Sequence, residues 1–319
     1  MSTPALAAAT HVGDHGVPHP ARAEHICVCI CTYKRPQLLR RLLESLNSQI
    51  TDGLFTYSIV VVDNDKQRSA EAEVSGFAAR SPIRISFCAE PEQNIPMARN
   101  RAVANASGDY VAFIDDDEFA AEDWLLNLLR ACHQYHVAGV VGPVNRYFDE
   151  QPPKWIEKGQ FWQRPSYATG LMIAGTQGRV NNALLRKGVF AGQPEPFRRE
   201  FRAGEDKDFF TRMVEAGHSF VWCREAVVYE IVPPTRWKRS FILKRSLLQG
   251  SLNRLQQNFG MSELAKSLIA LPAYAVLLPF AALAGHHRFM SLMVKLAWHA
   301  GHVLSFMGIQ VIKDPYVTG

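Results

Sequence analysis

The feature that most constrains the fold is a regular alternation of short apolar runs with helix-patterned segments, each run closing on polar residues. Ile26–Cys31 (ICVCIC), Tyr57–Val62 (YSIVVV), Ile83–Cys88 and Tyr110–Ile114 (YVAFI) are too short for stable helices. Their β-branched and small apolar content predicts buried strands. Between them lie helical patterns. One starts at Pro36 and repeats through Leu38, Leu39, Leu42, Leu43 and Leu46, and another covers Pro96–Ala106. Proline is tolerated in a first helical turn, where its missing N–H costs nothing. A helix with Trp124, Leu125, Leu128 and Leu129 follows, then a strand over Ala138–Val141. Such alternation predicts an α/β fold with a mostly parallel sheet flanked by helices. Sheets of that kind bind ligands beyond the carboxyl ends of their strands. The polar clusters fall there: Thr32-Tyr33, Asp63-Asn64-Asp65, and Asp115-Asp116-Asp117-Glu118.

Absent motifs narrow the chemistry. No G-x-G-x-x-G follows the first strand and no G-x-x-x-x-G-K-[ST] occurs, so nicotinamide, flavin and P-loop chemistry lose their support. Six cysteines in 319 residues make no disulfide scaffold. Cys27, Cys29 and Cys31 share one strand face, where packing suits them better than metal binding. A reducing compartment is expected.

Three aspartates leaving a buried strand need a cationic partner, because close carboxylates repel and raise one another's pKa. Hard oxygen ligands of this kind suit Mg²⁺ or Mn²⁺, with a diphosphate supplying further oxygens. Strand alternation predicts that Asp115 and Asp117 point one way and Asp116 the other. Helix capping accounts for Glu122 and Asp123 but not for the aspartate triplet. A second cluster, Gly204-Glu205-Asp206-Lys207-Asp208, opens a helical pattern. Either Glu205 or Asp206 is a candidate to take a proton from an attacking hydroxyl.

Charge and hydropathy divide the rest. Residues 1–24 lack periodicity and read as a flexible tail, 25–235 as the catalytic domain, 236–262 as a basic amphipathic segment, and 263–319 as an apolar helical, membrane-associated tail. From Ile231 to Gly260 the basic residues Arg236, Lys238, Arg239, Lys244, Arg245 and Arg254 meet no acidic one. Beyond them Leu268–Gly285 is uncharged, just long enough to cross a bilayer of roughly 30 Å. A basic flank before an apolar stretch predicts attachment to the cytoplasmic face of a membrane, with a soluble helical subdomain or a dimer contact as the alternative. The basic character is local, and Trp237 and Phe241 are too few for base stacking, so no nucleic acid is expected.

The runs CTYKRP, VVDND, NIPMARN before GDYVAFIDDDE, and GEDKDF resemble, in order and spacing over Ile26–Tyr229, the inverting glycosyltransferases of family 2 with the GT-A fold. FIDDDE, the loop around Trp155 and the apolar tail resemble most the subgroup that builds bacterial exopolysaccharides of the succinoglycan type. The resemblance implies that Thr32 and Tyr33 cradle the nucleotide base, that Asp63 pairs with uracil, and that Arg99 lies by the diphosphate. It places Asp115 and Asp116 on the nucleotide-sugar, Asp117 on the metal, Asp206 as the base and Glu205 beside it on the acceptor. Asn181, Asn182 and Trp155 fall on the acceptor side. Where many relatives carry a metal-binding histidine, this chain has Glu230 after Tyr229; either Glu230 substitutes as an oxygen ligand or the metal relies on Asp117, diphosphate and water.

The expectation is therefore a metal-dependent, inverting transferase using a UDP-sugar and a lipid-linked saccharide acceptor. A non-catalytic nucleotide-sugar-binding membrane adaptor and a sugar nucleotidyltransferase are the alternatives. The latter needs a glycine- and lysine-rich phosphate loop, and only Lys34-Arg35 offers charge there.

Overall fold

The computed structural model describes residues 23–201, 204–252 and 261–309. The flexible tail expected over 1–24, Arg254 of the basic segment and the last ten residues of the apolar tail lie wholly or mostly outside them. The chain runs β1 (Glu24–Thr32), α1 (Pro36–Leu46), β2 (Phe55–Asp63), α2 (Glu71–Ala78), β3 (Ile85–Ala89), α3 (Ile95–Asn105) and β4 (Tyr110–Ile114). It continues through β5 (Glu118–Ala120), α4 (Trp124–Gln134), β6 (Gly139–Val141), β7 (Val144–Tyr147), α5 (Lys154–Gly159) and β8 (Asn182–Arg186). Last come α6 (Glu205–Glu215), β9 (Phe220–Trp222), β10 (Val228–Ile231), α7 (Arg239–Leu252), α8 (Met261–Leu283) and α9 (His286–Phe306).

The main sheet has the order β3-β2-β1-β4-β8-β6-β9. Its first four strands are parallel, with Thr32 of β1 level with Asp63 of β2. Only β8 runs against its neighbours β4 and β6. The sheet is thus mostly parallel, as the alternating runs predict. Side-chain alternation along β1 divides the core. Ile26, Val28 and Ile30 pack with Leu39, Leu42, Leu43 and Leu46 of α1 and with Trp124 of α4. Cys27, Cys29 and Cys31 face the other way, onto Ala98 and Ala102 of α3 and the rings of Phe197, Phe209 and Phe220. All six thiols are free.

A second, three-stranded sheet, β5-β10-β7, sits at the strand ends. It sets Glu118 directly opposite Glu230. Its strands have three or four residues, below the length at which periodicity is visible in a sequence.

The C-terminal helices form two contrasting surfaces. α7 and α9 cross so closely that a Cβ on Gly250 would lie 2.0 Å from the Trp298 carbonyl oxygen. Ser246 Oγ donates to Val294 O at 2.7 Å across the same contact. α8 lies on α9 through Leu264 and Ser267 and turns its other side outward. That side is apolar, with Ile269, Val276, Phe280 and Leu283 between 66% and 88% exposed. Among the described residues, α8 is the helix long and apolar enough to cross a membrane. Within the basic amphipathic segment expected over 236–262, α7 buries Ile242, Ser246 and Leu248 and turns Phe241 and Arg245 to the cleft.

Candidate active site

The acidic quartet does not continue β4. The strand ends at Ile114, and Asp116-Asp117 form a turn leading into β5. A turn breaks two-residue alternation, so the expected facing of Asp115 with Asp117 is not what folds. Asp116 and Asp117 instead share Arg35, whose Nη1 lies 3.3 Å and 3.4 Å from their carboxylates. Thr32 Oγ1 donates to Asp116 at 2.7 Å. Asp115 is the most open of the three and approaches Arg99 at 3.5 Å. Glu118 is buried, accepting from the Asn181 amide at 2.7 Å and from the Asp115 backbone N–H.

These carboxylates crowd a poorly solvated corner. Burial, and then repulsion from Asp117, push the Asp116 carboxyl up to about 7. Burial and the charge of Asp115 push Glu118 well upward too. Compensation comes from arginines. Arg236 donates to Asp117 at 2.7 Å and to Glu230 at 3.0 Å, and Arg164 donates to Glu230 at 2.7 Å. Asp117 and Glu230 thus lie within the span of one guanidinium. Two hard carboxylates are what Mg²⁺ or Mn²⁺ takes from a protein when phosphates complete its shell, so the pair fits such an ion. Among the described residues no cluster of three or more His, Cys, Asp or Glu ligands forms a complete cage.

Two cavities open here. The first, about 390 Å³, is lined by Thr32, Tyr33, Asn64, Arg35, the acidic quartet, Glu230 and Arg236. The second, about 620 Å³, contains Asp206, Asn181, Arg179 and the rings of Phe161 and Trp162. They adjoin, since Arg99, Asp115, Arg164, Arg245 and Gln249 line both. Asp206 stands in the first turn of α6, just after Gly204 at φ +82°, a left-handed conformation that glycine adopts without strain. Its Oδ2 is 3.9 Å from Arg179 Nε.

The sequence pattern described as Glycosyl transferase family 2 matches residues 27–189. The succinoglycan biosynthesis protein ExoM of Rhizobium meliloti (strain 1021) is 32% identical over 307 residues, covering 92% of this chain and 97% of that one. This chain belongs to glycosyltransferase family 2. Galactofuranosyltransferase GlfT1 of Mycolicibacterium smegmatis is 26% identical, covering 64% of this chain and 70% of its own. Among solved structures, the mannosyltransferase PcManGT from Pyrobaculum calidifontis, in complex with GDP-Man and Mn²⁺, superposes with a TM-score of 0.61 at 19% identity, over 92% of this chain and 90% of that one. Residues 1–349 of S. aureus TarS give 0.51 at 13% identity, over 91% and 94%. The GT-A fold and transferase activity expected from the motifs are those of this family 2 enzyme.

Several residues expected at the site of this glycosyltransferase are placed otherwise. Asp63 is fully buried, and its two oxygens accept the backbone N–H groups of Asp65 and Ala70. It closes the β2 loop and does not line the cleft; Asn64 does. Asn182 is equally buried. Its amide donates to the Pro143 and Ala226 carbonyls and accepts from the Trp124 indole, each at 2.8 Å, leaving nothing for an acceptor. Glu205 lines neither cavity. It ion-pairs with Arg99, and burial, opposed by that arginine, carries its carboxyl up to about 7. It is held by Arg99 and does not open to either cavity. Trp155 packs edge-on against Phe161 at 5.6 Å and His286 at 5.0 Å, away from the cavities. Phe161 and Trp162, rather than Trp155, line the second cavity. Thr32, Tyr33, Arg99, Asp115, Asp116, Asp117, Asn181, Asp206 and Glu230 are brought together at the adjoining cavities. Arg35, Arg164, Arg236 and Arg245 are the cleft residues that sequence reasoning missed.

Proposed function

We propose that this family 2 enzyme is a metal-dependent, inverting transferase that moves a sugar from a nucleotide-sugar, with UDP as the nucleotide, to a hydroxyl of a lipid-linked saccharide. One observation carries the reading: a carboxylate free of strong ion pairing, Asp206, opens into a cavity that adjoins the acid- and arginine-lined cavity of Asp117. A donor in the first cavity and an acceptor in the second meet between Asp115, Arg99 and Asp206.

In this reading Asp206 accepts the proton of the acceptor hydroxyl as its oxygen attacks the anomeric carbon. The bond to the nucleotide diphosphate breaks on the opposite side, which inverts the configuration. Asp117 and Glu230 would hold Mg²⁺ or Mn²⁺, whose chemistry is to neutralise charge on the departing diphosphate. Arg35, Arg164 and Arg236, freed from their carboxylates, supply further positive charge to the same oxygens. Thr32 and Tyr33 wall the nucleotide, and Asp63 supports it indirectly by fixing the loop that carries Asn64. The family relationship to a succinoglycan biosynthesis protein supports exopolysaccharide synthesis as the setting. The outward apolar side of α8, together with exposed Lys238, Arg239 and Lys244, supports attachment at the cytoplasmic face of a membrane.

The test is Asp206→Asn. UDP-sugar binding in the presence of Mn²⁺, measured by thermal stabilisation, should persist while transfer falls by at least a factor of about 10² to 10⁴, the range general-base catalysis contributes. Turnover at the wild-type rate would refute the assignment. Stabilisation by a guanosine diphosphate sugar and not by UDP-sugars would overturn the choice of nucleotide.

A further inference from the structure

The second cavity carries more positive charge than a neutral saccharide needs. Five cations line it, Arg99, Arg164, Arg179, Arg245 and Lys295, against two carboxylates, Asp115 and Asp206. Arg99 is engaged by Glu205 and Asp115, Arg164 by Glu230, and Arg179 by Asp206. Arg245 and Lys295 have no carboxylate within ion-pair distance among the described residues. A guanidinium taken partly out of water without a counter-charge is costly, and it is retained where a ligand supplies that charge. Burial depresses the pKa of Arg245; the more distant Glu230 and Asp117 oppose the shift and Arg236 and Arg164 add to it, so the charge is only partly balanced.

The two uncommitted cations stand on the wall nearest the membrane-type helix. α7 presents Arg245 and Gln249, and α9 presents Ser291, Val294 and Lys295, to the same cavity. Behind them α9 carries α8, and Lys295 Nζ lies 5.7 Å from the ring of Tyr274 on that helix. A molecule whose saccharide reaches Asp206 and whose hydrocarbon runs along the exposed side of α8 passes this wall at the junction of the two. In a lipid-linked saccharide that junction is a phosphate ester.

We propose that Arg245, seconded by Lys295, binds the phosphate group of the lipid-linked acceptor in the second cavity. This rests on the acceptor assignment made above. The site fixes the length of saccharide that fits between phosphate and base, so it contributes to choosing the acceptor as well as holding it.

The full-length protein, saturated with UDP and Mn²⁺ so that the donor side is filled, should bind farnesyl diphosphate in a calorimetric titration. The variant Arg245→Gln/Lys295→Gln should weaken that binding at least tenfold, and Lys295→Gln alone, at a residue that lines the second cavity and not the first, should weaken it while leaving UDP affinity within twofold. Arg245→Lys, which keeps the charge, should recover part of the loss. An unchanged melting temperature shows that the variants are folded. The inference is overturned if wild-type protein binds no farnesyl diphosphate, or if the variant binds it equally well. It is also overturned if farnesol or inorganic pyrophosphate binds as tightly, or if UDP affinity falls in parallel, which would assign Arg245 to the donor. Failure of the wild-type protein to bind UDP or any nucleotide-sugar would instead sink the transferase reading itself.

Discussion

Asp116→Asn should stabilise the protein at neutral and alkaline pH while damaging its activity. The Asp116 carboxyl is 6% exposed and titrates at about 7, against 3.8 for an ordinary aspartate. A carboxyl whose folded pKa lies above its unfolded one holds its proton more tightly in the native state. The native advantage is therefore whole below about pH 4 and is eroded as the pH climbs toward 7. About three pKa units at 1.36 kcal/mol each set a ceiling of roughly 4 kcal/mol on what ionisation of this one group costs the fold. Coupling to Asp117 and Arg35 reduces the realised figure to about 1–3 kcal/mol. Asparagine keeps the shape, still accepts from Thr32 and offers Asp117 a donor in place of a repelling charge. Urea unfolding followed by tryptophan fluorescence, in chelator, should show the variant more stable than wild type at pH 8 by that amount. The difference should shrink toward zero by pH 4. Transfer by the same variant should drop, since Thr32 and Arg35 lose the charge they are arranged around. A pH-independent stability difference, or a loss of stability at pH 8, would refute the argument.

Three further outcomes follow from other parts of the fold. Asn182→Ala leaves the Trp124 indole and two carbonyls unpaired in the core, and should cost about 2–5 kcal/mol in urea unfolding without selectively raising the KM for acceptor. Gly250→Ala drives a methyl onto the Trp298 carbonyl and should cost about 1–3 kcal/mol. Because α7 also lines the donor cavity, it should weaken UDP binding as well. Ile269→Glu/Phe280→Glu places charges on the outward side of α8. It should move the protein from the membrane fraction to the soluble fraction on ultracentrifugation, with the melting temperature nearly unchanged, because neither residue packs against the fold.

The main sheet was legible because its parallel strands are buried on both faces and so appear as unbroken apolar runs. The positions of Asp115 and Asp117 followed from where the β4 run ends; the start of the α6 pattern left Glu205 and Asp206 both open, and the family resemblance singled out Asp206. What failed was direction. A sequence shows that Asp63 ends a strand-like run and that Asn182 follows a second asparagine, but not whether their polar atoms turn toward solvent or toward backbone groups that need partners. Both were claimed by nearer partners, two N–H groups for Asp63 and two carbonyls with an indole for Asn182. Alternation misassigned Asp116 because it holds only along a strand, and the chain turns immediately after Ile114.

The arginines were missed for a different reason, and it bears on how the enzyme is divided. Arg35, Arg164 and Arg236 come from three distant segments, and no spacing rule connects them. The quartet itself was the available signal: four carboxylates in a desolvated corner require roughly as many cations from somewhere in the chain. Counting charge by segment assigned Arg236 and Arg245 to a membrane-facing stretch, since no acid falls within 231–260 and Glu230 lies just outside it. In space Arg236 bridges Asp117 and Glu230, and Arg245 stands between the two cavities. The boundary drawn before residue 236 thus cuts through the active site. The same helix that lines both cavities is clamped at Gly250 to α9, and α9 carries the exposed apolar helix α8. A packed path of helices therefore joins the exposed apolar side of α8 to the acid- and arginine-lined cleft.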